Sequence, residues 1–167
     1  HMSQGKLKPA QDLLEKALPL MREVFDEKSF LALESKESLG EIYRQQGSFS
    51  KAETLFKETI KVAVVEYGDE EPLVIQAKSH LAQLYEDTGK LKQALALHQQ
   101  VYETDLAMLG ENHPNTAGDL NNLASVRRRL GDYQKAENLF RQSLNVMISV
   151  LGEDSPQSVS VMNNLAL

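Results

Sequence analysis

The chain has 167 residues, 41% of them hydrophobic and 25% charged, with no cysteine, no tryptophan and a formal net charge of −6. These values fit one ordinary domain and exclude pervasive disorder, disulfides, thiolate metal sites and a cysteine nucleophile. No apolar stretch is long enough to enter a membrane, the acidic balance excludes nucleic acid as the expected partner, and a chain without cysteine suits the reducing cytoplasm.

The predicted elements are all helices. His1 and Met2 are interpreted as a cloning scar and left out of the fold prediction. The first helix is expected to begin at Leu7, with Pro9 in its first turn. The apolar spacing and the Gly and Pro punctuation then predict helices over residues 7–25, 30–46, 49–67, 72–88, 91–109, 114–130, 133–151 and 156–167.

The helix boundaries are clearest in the third helix pair. Pro114 is expected at a helix start, where its missing N–H costs little, and His113 or Asn112 is the predicted cap. Gly131 is expected to end this helix, because glycine readily adopts the left-handed conformation of a helix end. Asp132 is a candidate cap for the helix that follows.

An internal repeat of 42 residues organises the whole chain. It needs no gap, and it places glycine, alanine and leucine in the same columns of each unit. The columns contain Gly5, Gly47, Gly89 and Gly131; Ala10, Ala52, Ala94 and Ala136; Leu13, Leu55, Leu97 and Leu139. The predicted units are about 5–46, 47–88, 89–130 and 131–167, within a single domain over residues 3–167.

The repeat resembles a known family. The spacing of Gly131, Tyr133, Ala136 and Phe140 looks like the tetratricopeptide repeat, whose usual period is about 34 residues. The 42-residue form, with L-G-E-N-H-P-N-T at 109–116 and later L-N-N-L-A, resembles the repeats of kinesin light chain and nephrocystin-3. The resemblance implies an all-α, right-handed solenoid of stacked antiparallel helix pairs with no sheet.

The two ends of the chain depart from complete units. Asp26 and Phe30 stand in the first unit where later units have glycine and proline, and Leu167 falls inside a predicted first helix of a pair. We therefore expect a fragment of a longer array, with less stable outer helices and possible self-association through the truncated ends.

Motifs for catalysis are absent from the sequence. His80, His98 and His113 fall in different positions of the repeat, so no two of them share a helix face at a ligand spacing. Phosphate-binding loops and nucleophile motifs are missing as well. We predict no metal site, no cofactor and no enzymatic activity; His98, in the column of Phe56 and Phe140, is expected to pack with a polar edge.

The resemblance implies a peptide-binding groove lined by the first helix of each pair. Asn122 and Asn164 match the position of the family's ligand-binding asparagine, and an asparagine amide can both donate to and accept from a peptide backbone. Asn121 and Asn163 could instead cap or be solvated, and the arginines could merely complement the helix dipole. The predicted groove residues are Glu37, Glu41, Arg44, His80, Gln83, Asn121, Asn122, Ser125, Arg128, Arg129, Asn163 and Asn164.

The function predicted from these features is a protein–protein interaction scaffold that binds a peptide or helix of a partner in its concave groove. Glutamates early in the chain and arginines late in it favour a dipolar ligand. Two alternatives remain at this point: a structural spacer or self-association segment of a larger protein, and a regulatory arm of an enzyme or nucleotide switch whose catalytic domain lies elsewhere.

Overall fold

A computed structural model describes the backbone of residues 2–24 and 26–166 and the side chains of residues 8–20 and 26–166. Within these ranges the chain forms eight α-helices and no β-strand. The helices are α1 (Met2–Val24), α2 (Phe30–Gln45), α3 (Phe49–Tyr67), α4 (Pro72–Asp87), α5 (Leu91–Leu109), α6 (Pro114–Arg129), α7 (Tyr133–Leu151) and α8 (Pro156–Leu165).

Glycines and side-chain caps set the helix boundaries in the later repeats. Gly131 and Gly152 have φ values of 84° and 87°, a left-handed conformation that glycine adopts without strain. At the start of α6, His113 Nδ1 accepts a hydrogen bond from the Asn115 N–H at 3.1 Å, which confirms the predicted cap. Asp132 differs from the expectation, because its carboxylate makes ion pairs with Arg127 and Lys135 and no cap bond.

The largest boundary correction concerns α1, which begins at Met2 rather than at Leu7. Pro9 and Pro19 therefore both lie inside the helix. Each proline removes one backbone hydrogen bond but keeps a helical φ, and both residues are exposed, so no packed neighbour is disturbed. The predicted end of α1 at residue 25 lies outside the described residues, as do His1 of the predicted cloning scar and Leu167. The other helix ends agree within two residues.

The chain divides into two compact units, one up to Leu84 and the other from Tyr85 onward, and each is described by itself. In the first unit α1 packs on α2 and α2 on α3. Leu33 of α2, Ala63 of α3 and Leu73 of α4 are buried in one apolar cluster. Gly40 lets α2 approach α3, because a Cβ at this position would lie 2.8 Å from the Phe56 ring. The prediction of a single domain stays a prediction.

The second unit stacks its helices in chain order, with α5 packed on α6, α6 on α7 and α7 on α8. Its apolar cluster combines the small residues Ala117, Ala124 and Ala136 with the larger side chains of Phe140, Met147 and Val161. Leu139 and Leu144 pack against this cluster from its partly exposed side. The repeated small residues therefore mark close helix approaches, as the family resemblance implies.

A buried acid pair interrupts the apolar packing between α5 and α6. Asp105 is 6% and Asp119 8% exposed. The corresponding positions are Ala63 and Ala77 one repeat earlier. One repeat later they are Met147 and Val161. Burial, the charge of Asp105 and a hydrogen bond with Asp105 raise the pKa of Asp119 to about 8. Asp119 therefore remains protonated near neutral pH.

The repeated alanine offers a test of the helix phase. Ala94 is fully buried, and Ala136 is 2% exposed but lines a surface cavity of about 200 Å³ into which a larger side chain could extend. Ala94→Leu is the stricter change, and it is expected to destabilise the protein by about 1–3 kcal/mol through overpacking. Urea unfolding followed by circular dichroism measures the difference.

The matched control is Gln93→Leu, because Gln93 is the exposed neighbour of Ala94 on the same helix. This variant should stay within about 0.5 kcal/mol of the wild type. Equal stability of the Ala94 and Gln93 variants would show that the helix is turned the wrong way.

Candidate functional site

The predicted groove residues lie on the first helix of each pair: α2 and α4 in the first unit, α6 and α8 in the second. We call Glu37, Glu41, Arg44, His80 and Gln83 the first-unit face. We call Asn121, Asn122, Ser125, Arg128, Arg129, Asn163 and Asn164 the second-unit face. Most of these side chains are partly or fully exposed, and Glu37 is the buried exception at 2% exposure.

The first-unit face is centred on Glu37, which joins α2 to α4. Its carboxylate accepts a hydrogen bond from His80 Nδ1 through one oxygen and from Gln76 Nε2, at 3.4 Å, through the other. The ring of His80 lies 5.9 Å from that of Phe56, centre to centre. A glutamate is buried here because both of its oxygens find polar partners on the neighbouring helix.

Burial alone would lower the pKa of His80, since it disfavours the imidazolium. The hydrogen bond to Glu37, the charge of Glu37 and that of Glu41 outweigh burial and the opposing charge of Arg44, so the pKa is raised. The protonated imidazole is therefore stabilised at this place, and the Glu37–His80 contact gains ion-pair character as the pH falls.

Glu41 is partnered along its own helix. Arg44 donates to both of its carboxylate oxygens, at 2.7 and 2.8 Å, and Gln45 adds a third hydrogen bond at 2.7 Å. Burial opposes ionisation, but these hydrogen bonds hold the pKa of Glu41 below its usual value. Gln83 of the first-unit face is half-buried. The first-unit face thus contains compensated charges rather than an open negative surface.

The second-unit face is held by an amide pair. Asn164 Nδ2 donates to Asn121 Oδ1 at 3.0 Å, and the backbone carbonyl of Asn164 accepts a hydrogen bond from Arg128 at 2.9 Å. Ser125 Oγ donates to the backbone carbonyl of Asn121. Asn122 is half-buried and Asn163 exposed. Among the described residues, none of these hydrogen bonds involves the Asn122 side chain. Its amide is therefore available to a ligand.

Several contacts between stacked first helices join residues 43 apart, one position more than the repeat. Glu37 meets His80 and Asn121 meets Asn164 with this separation. Asn164 therefore bonds to Asn121 rather than to its own repeat equivalent, Asn122. In both of these contacts a side chain faces the position that follows its repeat equivalent.

Glu86 lies at a groove position implied by the family resemblance, but sequence reasoning did not predict its contacts. Its carboxylate accepts hydrogen bonds from Arg129 at 3.1 Å and from Nε2 of His98 at 2.9 Å, and its carbonyl accepts a second bond from Arg129. His98 is 1% exposed, which agrees with its expected role as a packing residue with a polar edge. In the next repeat the equivalent contact joins Arg128 to the Phe140 ring at 5.7 Å. Comparison of the two columns could have revealed this exchange.

A pocket of about 330 Å³ opens in the second-unit face between α6 and α8. Gly118, Asn121 and Asn122 line one side, Gln157 and Ser160 the other, and the apolar lining residues are Met147, Pro156 and Val161. Met147 and Gln157 were not predicted as site residues. The signal that could have found the pocket is Gly118, whose equivalents in the two earlier repeats are Glu34 and Gln76.

Neither a metal-binding group nor a membrane-spanning helix is present among the described residues. No group of three or more His, Cys, Asp or Glu side chains is arranged to hold a metal ion. None of the helices in the described part combines the length and apolar character needed to cross a membrane.

The sequence matches the tetratricopeptide repeat family over residues 1–63, 32–107, 73–147 and 118–167. These overlapping segments cover the whole chain. The chain belongs to the tetratricopeptide repeat family. Its predicted all-α fold class is confirmed. A search of curated proteins found no match.

Solved tetratricopeptide repeat structures share the fold. One is a protein of Podosopora anserina described as a kinesin light chain with nearly identical TPR-like repeats; its TM-score is 0.83 at 22% identity, over 98% of this chain and 78% of that one. BtubC (BKLC) from P. vanneervenii has a TM-score of 0.77 at 24% identity, over 95% of this chain and 64% of that one. The N-terminal domain of stress-induced protein-1 from C. elegans has a TM-score of 0.59 at 16% identity, over 81% and 95%.

Proposed function

We propose that this tetratricopeptide repeat chain is a protein-interaction scaffold that holds an extended segment of a partner protein and carries out no catalysis. The observation that carries the proposal is the row of side-chain amides on α6 and α8, where Asn121, Asn122 and Gln157 surround one pocket. Amides supply donors and acceptors together, so they can satisfy the backbone of a bound peptide without demanding one side-chain sequence.

The prior order of this surface supports the proposal. The Asn121–Asn164 bond and the bond from Arg128 to the Asn164 carbonyl fix the α6 and α8 side chains before any partner arrives. Less side-chain freedom is then lost on binding, which favours affinity. The charges of Arg129 and Glu86 are paired with each other, so Arg129 does not present an uncompensated charge to a partner.

The experiment uses a peptide selected from a random display library on the wild-type chain. Asn122→Ala combined with Gln157→Ala is expected to weaken binding about tenfold, because each lost hydrogen bond costs about 0.5–1.5 kcal/mol. Fluorescence polarisation measures the affinity and a thermal melt checks the fold.

The matched control is Glu86→Gln, which removes the carboxylate partner of Arg129 and leaves both binding side chains in place. Its affinity should stay within about threefold of the wild type, since less than one hydrogen bond is at stake. A folded double variant that binds as tightly as the wild type would overturn the groove mechanism and favour a structural spacer.

A further inference from the structure

Gly118 is an unusual residue at a position inside a helix. It lies in the middle of α6, where glycine destabilises a helix relative to alanine because its backbone loses more freedom on folding. Its φ is not among the positive values that require glycine elsewhere in the chain. The backbone conformation therefore gives no reason for a glycine here.

Close packing gives no reason either. A Cβ built on Gly118 would meet only the Met147 Cε, at 4.0 Å, which is an ordinary van der Waals contact. Gly40 shows the contrast, since a Cβ there would lie 2.8 Å from the buried Phe56 ring. Gly40 is required by its neighbours, whereas Gly118 leaves a space that a side chain could fill.

That space has a definite chemistry. Met147 and Val161 contribute apolar surface and are 5% and 2% exposed, while the amides of Asn121, Asn122 and Gln157 stand around them. None of the side chains that line the pocket is ionisable. A charged group entering it would lose hydration without gaining a counter-ion, whereas an apolar group would lose only unfavourable contact with water.

We propose that the Gly118 pocket selects partners by receiving one bulky apolar side chain, of leucine, methionine or phenylalanine size, from a partner segment with uncharged neighbours. The amides around the pocket bond the backbone on either side of that side chain. This inference rests on the groove-binding function proposed above and adds the specificity that the amides alone do not supply.

The test fills the pocket with the residue that the preceding repeat carries at this position. Gly118→Gln copies Gln76 and improves the helix propensity of α6, so the variant should fold. The probe is a fluorescent peptide selected from a random display library on the wild-type chain, together with its variants in which the most important apolar residue is changed to Ala or Lys. We expect Gly118→Gln to weaken peptide binding about 10- to 100-fold, because the burial of a large apolar side chain is lost.

The matched control is Asn115→Gln, which lengthens an exposed side chain of the same helix outside the pocket lining; it should bind within about threefold of the wild type. The Ala and Lys peptides should both bind weakly to the wild type, and these defects should shrink in Gly118→Gln because the pocket is already filled. Circular dichroism verifies that both variants are folded.

Each other outcome decides against a stated part of the idea. If binding depends on Asn122 but not on Gly118, the specificity pocket is wrong and the groove function stands. If selected peptides use a charged residue at this place, or sedimentation shows that a second copy of the chain occupies the face, the proposed partner chemistry is overturned. If no selected peptide responds to Asn122 or Gly118, both the pocket and the groove function are wrong.

Discussion

The protein is expected to lose stability between pH 5 and pH 8, and replacing Asp119 by asparagine is expected to abolish most of that loss. The pKa of Asp119 is raised to about 8, first by burial and then by the charge and hydrogen bond of Asp105, whereas an unfolded aspartate titrates near 3.8. The folded chain therefore holds a proton that the unfolded chain has released. Between these two pKa values the free energy of unfolding falls with pH, by up to about 1.4 kcal/mol per unit.

The asparagine variant has no proton to lose, and its amide can donate to Asp105 as the protonated carboxyl does. Relative to the wild type it should gain about 2–4 kcal/mol on going from pH 5 to pH 8. Urea unfolding at both pH values measures this difference, and any constant effect of the asparagine cancels in it.

A second variant separates ionisation from packing. Asp105→Met with Asp119→Val copies Met147 and Val161, which fill the same two positions one repeat later. It should show the same weak pH dependence as the asparagine variant over this range. If the wild type and Asp119→Asn lose stability in parallel as the pH rises, Asp119 does not hold its proton in this range and the explanation is wrong.

Much of the fold could be predicted from the sequence because the same helix-boundary residues recur in each unit. A glycine or proline that recurs after 42 residues reports the same turn in each unit, so the ends of α3, α5 and α7 were predicted at the observed residues. The first helix had no equivalent with which to compare it. Pro9 was therefore assigned to a first turn, although it lies inside α1.

The site was less predictable than the fold. Periodicity placed the groove residues on the correct helices, but it could not show that Asn164 pairs with Asn121 rather than with its own repeat equivalent. Nor does a residue type reveal its partner. Arg129 was predicted as a groove residue, whereas in the structure it donates a hydrogen bond to Glu86. Such partners arise from the stacking of helices distant in sequence, and they became visible only when equivalent columns were compared in space.

The departures from the repeat carry the most specific information. Asp105 and Asp119 replace apolar residues of the two neighbouring units, and Gly118 replaces the long polar side chains of the two earlier units. Stacking requires only that each unit bury its shared small and apolar positions. Residues that break the shared pattern therefore report what is particular to one interface, such as a titrating pair or an open pocket.

Glu37→Ala is expected to destabilise the first unit by about 3 kcal/mol at pH 5.5, because it leaves the protonated His80 without its buried partner. Glu37 is 2% exposed and joins α2 to α4 through His80 and Gln76. The pKa of His80 is raised in the folded chain, so the stability that the pair contributes is fully present below the unfolded value of about 6.5. This contribution is lost as the pH rises through the folded pKa, and the cost of Glu37→Ala should be clearly smaller at pH 9.

The matched variant is Glu37→Asn with His80→Asn, which copies the Asn121–Asn164 pair found at the equivalent positions of the second unit. An amide pair keeps one hydrogen bond between the helices and has no proton to exchange. Its stability difference from Glu37→Ala with His80→Ala, which also lacks both titrating groups, should therefore be the same at pH 5.5 and pH 9, as measured by urea unfolding. The wild type, with Glu37, Glu41 and Arg44 facing His80, should instead lose its advantage over Glu37→Ala as the pH rises. An advantage that is constant across this range would mean that Glu37 and His80 are joined by a neutral hydrogen bond, and that the charges of α2 do not govern the contact.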